Sequence, residues 1–254
     1  MNLDFYNWLL VFVRLGAFLL ALPFFSAVNF PAPLRVALAA FASLLLAPQL
    51  PPFPLAHLDI FSIVGLLIRE ISIGLLLGFL GRTVFYAADF AGQIVATELG
   101  LNMGQIFDPS SHQSDQVPGL ILFFVATLTM LTLDLHHGML LGFARTFDVL
   151  PIGSGHLSTS LFEMVISRTS GIFTIALQMA APVMAVSFAI TVFFAVMGRA
   201  VPQMNVFAES FGIKIAAGLI VFGFTLQIAS QYVTNQLHRL PDDLVYLGQI
   251  LRGG

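Results

Sequence analysis

Few residues in this sequence could do chemistry. Asp134, His136 and His137 come together in "LDLHHGM". Imidazole and carboxylate are ligands of the zinc type. Adjacent histidines diverge on a helix, however, and the chain contains neither H-x-x-x-H nor H-E-x-x-H. The pair is therefore expected to mark a polar helix end at an interface, with no metal bound. Ser110, His112 and Asp115 share one loop. They have the residue types of a hydrolase, but no nucleophile elbow or oxyanion pattern surrounds them. No glycine-rich phosphate loop is present. The expectation is a protein with no catalytic residues and no cofactor, and hence not an enzyme.

The charges pose a sharper question. Arg69 and Glu70 are adjacent, near the middle of an apolar run at about 60–87. Neighbours on a helix point about 100° apart, so they cannot pair with each other. In lipid each would cost about 2.5–3.5 kcal/mol. Both therefore need partners on another helix. Arg14, Glu163 and Arg168 interrupt apolar runs in the same way. The last two lie close to a segment start and are expected to snorkel. Arg82 and Asp89 are seven apart and share a helix face. With Glu98 they suggest a helix that runs beyond the bilayer into a polar tip.

"GRAVPQMNVFAESFGIKI", from Gly198 to Ile215, gathers Arg199, Pro202, Gln203, Asn205, Glu209 and the chain's lysine, Lys214, between two very apolar stretches. Pro202 pushes Val201 out of the α region, which predicts a break. Phe207 and Phe211 share a face if the chain then re-enters a helix. The stretch reads as a recognition hairpin.

The elements that must position these residues are almost all apolar. The chain has 254 residues, 58% of them hydrophobic and 9% charged, with mean hydropathy +0.94. Soluble domains carry roughly 25% charged residues. This is a membrane protein, or a subunit buried in an apolar assembly. The net charge of −3 without a basic block argues against nucleic acid. With no cysteine there is no disulfide or thiolate site. Asp4 and the absence of an early cation make the start a poor signal peptide, so it reads as a retained first helix.

Six apolar runs stand out, at about 8–28, 34–50, 60–87, 117–134, 161–198 and 213–233. The second ends in "APQLPPFP", through which no helix continues. The fifth contains Pro182 and reads as two helical pieces or one kinked helix. Cations show no loop bias, so orientation is not readable from them. "PIGSGHLSTS", Pro151–Ser160, is the best boundary between halves. Gly74/Gly78, Gly100/Gly104 and Gly138/Gly142 are each four apart, a spacing that lets helices pack closely.

The segment Ala181–Gly218 resembles the C-terminal signature of the FliR family of type III export-gate proteins, which also includes the injectisome proteins SpaR and YscT. The residues that carry the likeness are Ala181-Pro182, Gly198, Pro202-Gln203-Met204-Asn205-Val206-Phe207, Lys214-Ile215 and Gly218. Arg14, Pro23, the Pro31/Arg35 turn, Glu70-x-x-x-Gly74-x-x-x-Gly78 and Asp108-Pro109 extend it over essentially the whole chain. Members often have Gly-Phe-Pro-Leu-Lys where this chain has Phe211-Gly212-Ile213-Lys214.

The resemblance implies an all-α protein of membrane-like hairpins with kinked and broken helices. It implies a FliP-like half at about 1–150 and a FliQ-like hairpin with an amphipathic tail at about 160–254. It implies one copy in a hetero-oligomer with FliP and FliQ, FlhB at the cytoplasmic entrance, and export substrates passing through. The location implied is the bacterial inner membrane and flagellar basal body, partly raised toward the periplasm.

On that basis Phe107, Asp108, Pro109, Ser110, Ser111, His112, Gln113, Ser114, Asp115 and Gln116 are expected to form the plug loop. Arg69, Glu70, Gly74, Gly78, Arg82, Asp89 and Glu98 are expected at contacts between subunits. Arg199, Pro202, Gln203, Met204, Asn205, Phe207 and Lys214 are expected at the hairpin tip near the entrance. The alternatives are an injectisome gate subunit and a secondary transporter with Arg69, Glu70 and the Pro182 break lining a substrate path.

Overall fold

A computed structural model describes residues 5–26, 30–53, 59–102, 117–156, 158–201, 203 and 205–253. These residues form helices and turns with no strand among them. The helices are α1 (Phe5–Ala21), α2 (Pro23–Ser26), α3 (Ala32–Leu46), α4 (Ile60–Glu98), α5 (Val117–Thr132), α6 (Leu135–Val149), α7 (Thr159–Ala200) and α8 (Val206–Gly253), with a 3-10 turn at Ala47–Gln49. Helices long and apolar enough to cross a membrane cover Ala32–Gln49, Ile60–Glu98, Thr159–Ala200 and Ala208–Gly253. Only 17–28% of each one's apolar window is buried within the chain. The remainder must be covered by lipid or by other protein.

The chain clusters into two compact units. The first is Met1–Thr83, Leu133–Arg168 and Leu237–Gly254, and the second is Val84–Thr132 and Thr169–Gln236. The Pro151–Ser160 connector lies inside the first unit.

In the first unit, α1 buries Asn7, Leu10, Val11, Arg14, Leu15 and Phe18, a stripe of helical period. It packs on α3, where Trp8 Nε1 donates to the Ala40 carbonyl at 3.3 Å. Asn7 uses both ends of its amide on the segment that follows. Nδ2 donates to Pro51 O, and Oδ1 accepts from Phe53 N, each at 2.9 Å. α4 begins after Asp59, whose carboxyl accepts from Ser62 Oγ at 2.5 Å. That bond holds the carboxyl below its ordinary range.

α4 meets α1 at Glu70, Gly74 and Gly78, all buried. A β-carbon at Gly74 would run into the Arg14 carbonyl, and one at Gly78 into Ala21. Gly142 of α6 lies against Pro241 of α8 in the same manner. Two of the glycine pairs thus find partners inside the chain. Phe18 and Phe143 stack at 4.8 Å and join α1 to α6.

In the second unit, Gly92 of α4 meets Gly119 of α5, and Gly218 of α8 meets Leu99. Phe85 and Phe123 add a ring contact at 5.7 Å. The third glycine pair behaves differently from its expected helix packing. Gly100 has φ +70° and ends α4. Leu101 N donates to Ala96 O and Gly100 N to Thr97 O, the two bonds of a Schellman cap. Gly104 lies outside the described residues.

α7 is a single helix through Pro182, not two pieces. α8 likewise continues through Pro241. Within the first unit, Arg168 of α7 pairs with Asp243 of α8 at 2.5 Å. The expectation that Arg168 snorkels is thereby corrected. Its guanidinium turns inward because Asp243, in the tail, offers a half-buried carboxylate.

Candidate functional site

The most unusual chemistry in the chain is a charge pair at the centre of the first unit. Arg14 sits in the buried stripe of α1, and Glu70 in the buried stripe of α4. Both side chains are 0% exposed, and Arg14 Nε donates to Glu70 Oε2 at 2.5 Å. Removing two charges from water is costly, and only further hydrogen bonds make such a pair tolerable. The turn between α6 and α7 supplies them. Arg14 Nη1 donates to Leu150 O at 3.0 Å. Glu70 Oε1 accepts from Gly153 N at 2.9 Å. The guanidinium also lies 4.3 Å over the Phe147 ring, a cation–π contact. Arg14 Nη2 is buried and has no hydrogen-bond partner among the described residues.

The neighbouring charge completes the clamp. Arg69 Nη1 donates to Gly153 O at 2.6 Å. Adjacent helical residues diverge, so Arg69 and Glu70 do not touch each other. They hold opposite sides of one residue instead, Glu70 its N–H and Arg69 its C=O. Gly153 has φ +78°, a conformation that costs any other residue a steric clash. The site thus fastens three elements: α1, α4 and the Leu150–Gly153 turn. Glu70 is committed to a cation and an amide, and the arrangement ties the three elements together.

Three of the residues expected at contacts between subunits have neighbours within their own chain. Glu70, Gly74 and Gly78 are buried within their own chain, against Arg14, Ala17 and Ala21. The apolar stripe of α1 is what covers them. Arg69 is exposed apart from its bond to Gly153. Arg82 is half-buried, Asp89 is exposed and accepts from Gln93 Nε2 at 2.9 Å, and Glu98 receives Ser187 Oγ on its carbonyl at 3.1 Å.

At the hairpin tip, Arg199 occupies the last turn of α7, where a cation complements the helix dipole. Gln203 is exposed. Asn205 starts α8 and its Oδ1 accepts from Ala208 N at 3.3 Å, which makes it an N-cap. Lys214 is half-buried. Pro202 and Met204 and the side chain of Phe207 lie outside the described residues, as do all the expected plug residues, 107–116.

One side-chain cluster contradicts the expectation of divergence. The His136 and His137 rings lie 4.2 Å apart, and Asp134 Oδ1 is 3.6 Å from His137 Nδ1. The two histidines sit in the first turn of α6, right after a left-handed Asp134, where the mid-helix spacing argument does not hold.

Comparison with known proteins places the chain. A family model described as bacterial export proteins, family 1, matches residues 5–240. The flagellar biosynthetic protein FliR of Pectobacterium carotovorum subsp. carotovorum is 31% identical over 246 residues, covering 94% of this chain and 93% of that protein. FliR of Bacillus subtilis (strain 168) is 28% identical over 231 residues, 90% of this chain and 89% of the relative. The Yop proteins translocation protein T of Yersinia pestis is 28% identical over 204 residues, 78% of this chain and 77% of its own length. Matched from α1 into α8, and with the apolar helices the family name leads one to expect, this chain belongs to the bacterial export proteins, family 1.

Proposed function

We propose that the chain is the FliR-type subunit of a flagellar type III export gate, a structural component of a protein-export channel and not an enzyme. The observation that carries this reading is the near full-length match to FliR relatives, 94% of this chain against 93% of the relative from Pectobacterium. The uncovered apolar windows support it, since helices so little buried in their own chain need partners or lipid. In this reading one copy joins FliP and FliQ, through a FliP-like portion at about 1–150 and a FliQ-like hairpin at about 160–254. FlhB sits by the entrance, near the exposed tip at Arg199, Gln203 and Asn205. Residues 107–116 plug the closed channel. The assembly belongs to the inner membrane and basal body, raised toward the periplasm.

Arg69, Glu70, Gly74, Gly78, Arg82, Asp89 and Glu98 serve contacts with other subunits, Glu70, Gly74 and Gly78 by holding the fold that presents the rest. The transporter alternative loses a path-lining acid, because Glu70 is fully enclosed and bonded. An injectisome role is favoured only by the match to the Yersinia protein.

Complementation tests the proposal. In a flagellated host lacking its own FliR, this chain should restore hook and filament subunits to the medium. Restoration of injectisome secretion but not of flagellar export would favour the second reading.

A further inference from the structure

We propose that Asp134, His136 and His137 form a binding site for one divalent transition-metal ion of the Zn2+, Co2+ or Ni2+ type. Their ligand atoms all lie within 4.8 Å of one another. Two imidazoles and a carboxylate are a ligand set for borderline first-row ions, and no cysteine is present to favour a softer one.

Among the described residues, the three side chains have only one another as polar partners: Asp134 with His137, and the His136 ring against that of His137. Asp134 precedes α6 at the N-cap position, where an aspartate ordinarily accepts a bond from the first turn of the helix. Here it makes no such side-chain bond. Its backbone is left-handed, φ 52°, and its carbonyl accepts from His137 N at 3.0 Å. That local closure carries the carboxylate toward the His137 ring rather than onto the helix end. His136 Nδ1 is buried and has no hydrogen-bond partner among the described residues.

The site is also reachable. The Asp134 and His137 side chains are 77% and 68% exposed, so an ion can arrive from water and keep water in its remaining positions. Ligands about 2.0–2.2 Å from one ion lie roughly 3–3.5 Å apart. Closing the set therefore asks for a shift of about an ångström, within the freedom of two exposed side chains.

The test uses the full chain in detergent, carrying a tag without histidine and stripped with a chelator. Co2+ titration, followed by visible ligand-field absorption with Zn2+ as competitor, should saturate at one ion per chain. D134N, H136A and H137A should each weaken binding by at least about tenfold, the low end of what even outer-shell partners cost. H137Q, at an exposed position, guards against a folding defect, and helicity should be unchanged in it. No saturable Co2+ signal in the unsubstituted chain would overturn the proposal. So would binding that survives in the H136A/H137A double variant, since the ion would then be held elsewhere.

Discussion

Arg14 and Glu70, 56 residues apart in the chain, meet at 2.5 Å with neither side chain exposed to solvent. Each occupies a position that the helical period assigns to the packed stripe of its helix. The pair is therefore a feature of the packing, and the turn at Leu150–Gly153 closes around it. Removing one member leaves the other buried and uncompensated.

Glu70→Ala and Arg14→Ala should each destabilise the chain by about 3–5 kcal/mol. The double variant Arg14→Met/Glu70→Leu should recover much of that loss, since apolar replacement of a buried pair is often neutral. Thermal unfolding in detergent, followed by far-UV circular dichroism, checks the order. A double variant as unstable as the worse single one would show that the bonds to Leu150 and Gly153 matter more than the pair.

Gly153→Ala should weaken the same clamp by a different route. A side chain at φ +78° costs about 1–2 kcal/mol. The new methyl would also press on Phe53, 3.0 Å away. The same unfolding measurement should show a lower midpoint for this variant than for the matching substitution at Gly155, whose φ is not positive.

Gly74→Val should separate α1 from α4, because the clash is with the Arg14 backbone and cannot be relieved by a rotamer. Overpacking costs about 1–3 kcal/mol. Gly171→Ala is the contrasting case, with nothing within 4 Å of its added carbon. It should be neutral or stabilise by roughly 0.5–1 kcal/mol. Paired unfolding curves of the two variants check this difference in sign.

The Arg168–Asp243 pair is only partly buried, at 34% and 17% exposure. Breaking it should cost no more than about 1 kcal/mol after solvent screening. Exchanging the two residues, Arg168→Asp with Asp243→Arg, should restore most of the loss. A double-mutant cycle on unfolding midpoints measures the coupling.

Local features were legible in the sequence, and long-range pairing was not. The spacing of Arg82, Asp89 and Glu98 indicates a helix that outruns a bilayer, and α4 has 39 residues. The break between α7 and α8 follows from what a proline does to the residue before it, Val201. That Arg69 and Glu70 need partners follows from their cost in an apolar setting. Which partners they have does not, because Gly153 lies 84 residues from Arg69 and is reached only through the folded unit. The sequence around Arg168 suggests snorkelling, since nothing local marks Asp243, 75 residues on. Gly100 shows a different limit: the same glycine suits close helix packing and a helix cap, and only the bonds of Leu101 and Gly100 decide. The histidine pair misled because the spacing argument assumes a helix interior, whereas Asp134 turns the chain left-handed just before it.

For the proposed plug, deletion of Ser110–Gln116 should raise passage of small solutes through the gate. Cells expressing the deletion with FliP and FliQ should become more permeable to a normally excluded small molecule. An unchanged leak would remove these residues from that role.

The central claim is that this chain is one structural subunit of an export gate. Co-expression with FliP and FliQ, followed by native mass measurement of the purified assembly, tests it most directly. The expected result is a single hetero-oligomer containing one copy of this chain, with poor recovery of the chain when FliP and FliQ are left out. A chain that is stable alone, or that forms a symmetric oligomer without binding either partner, would contradict the claim.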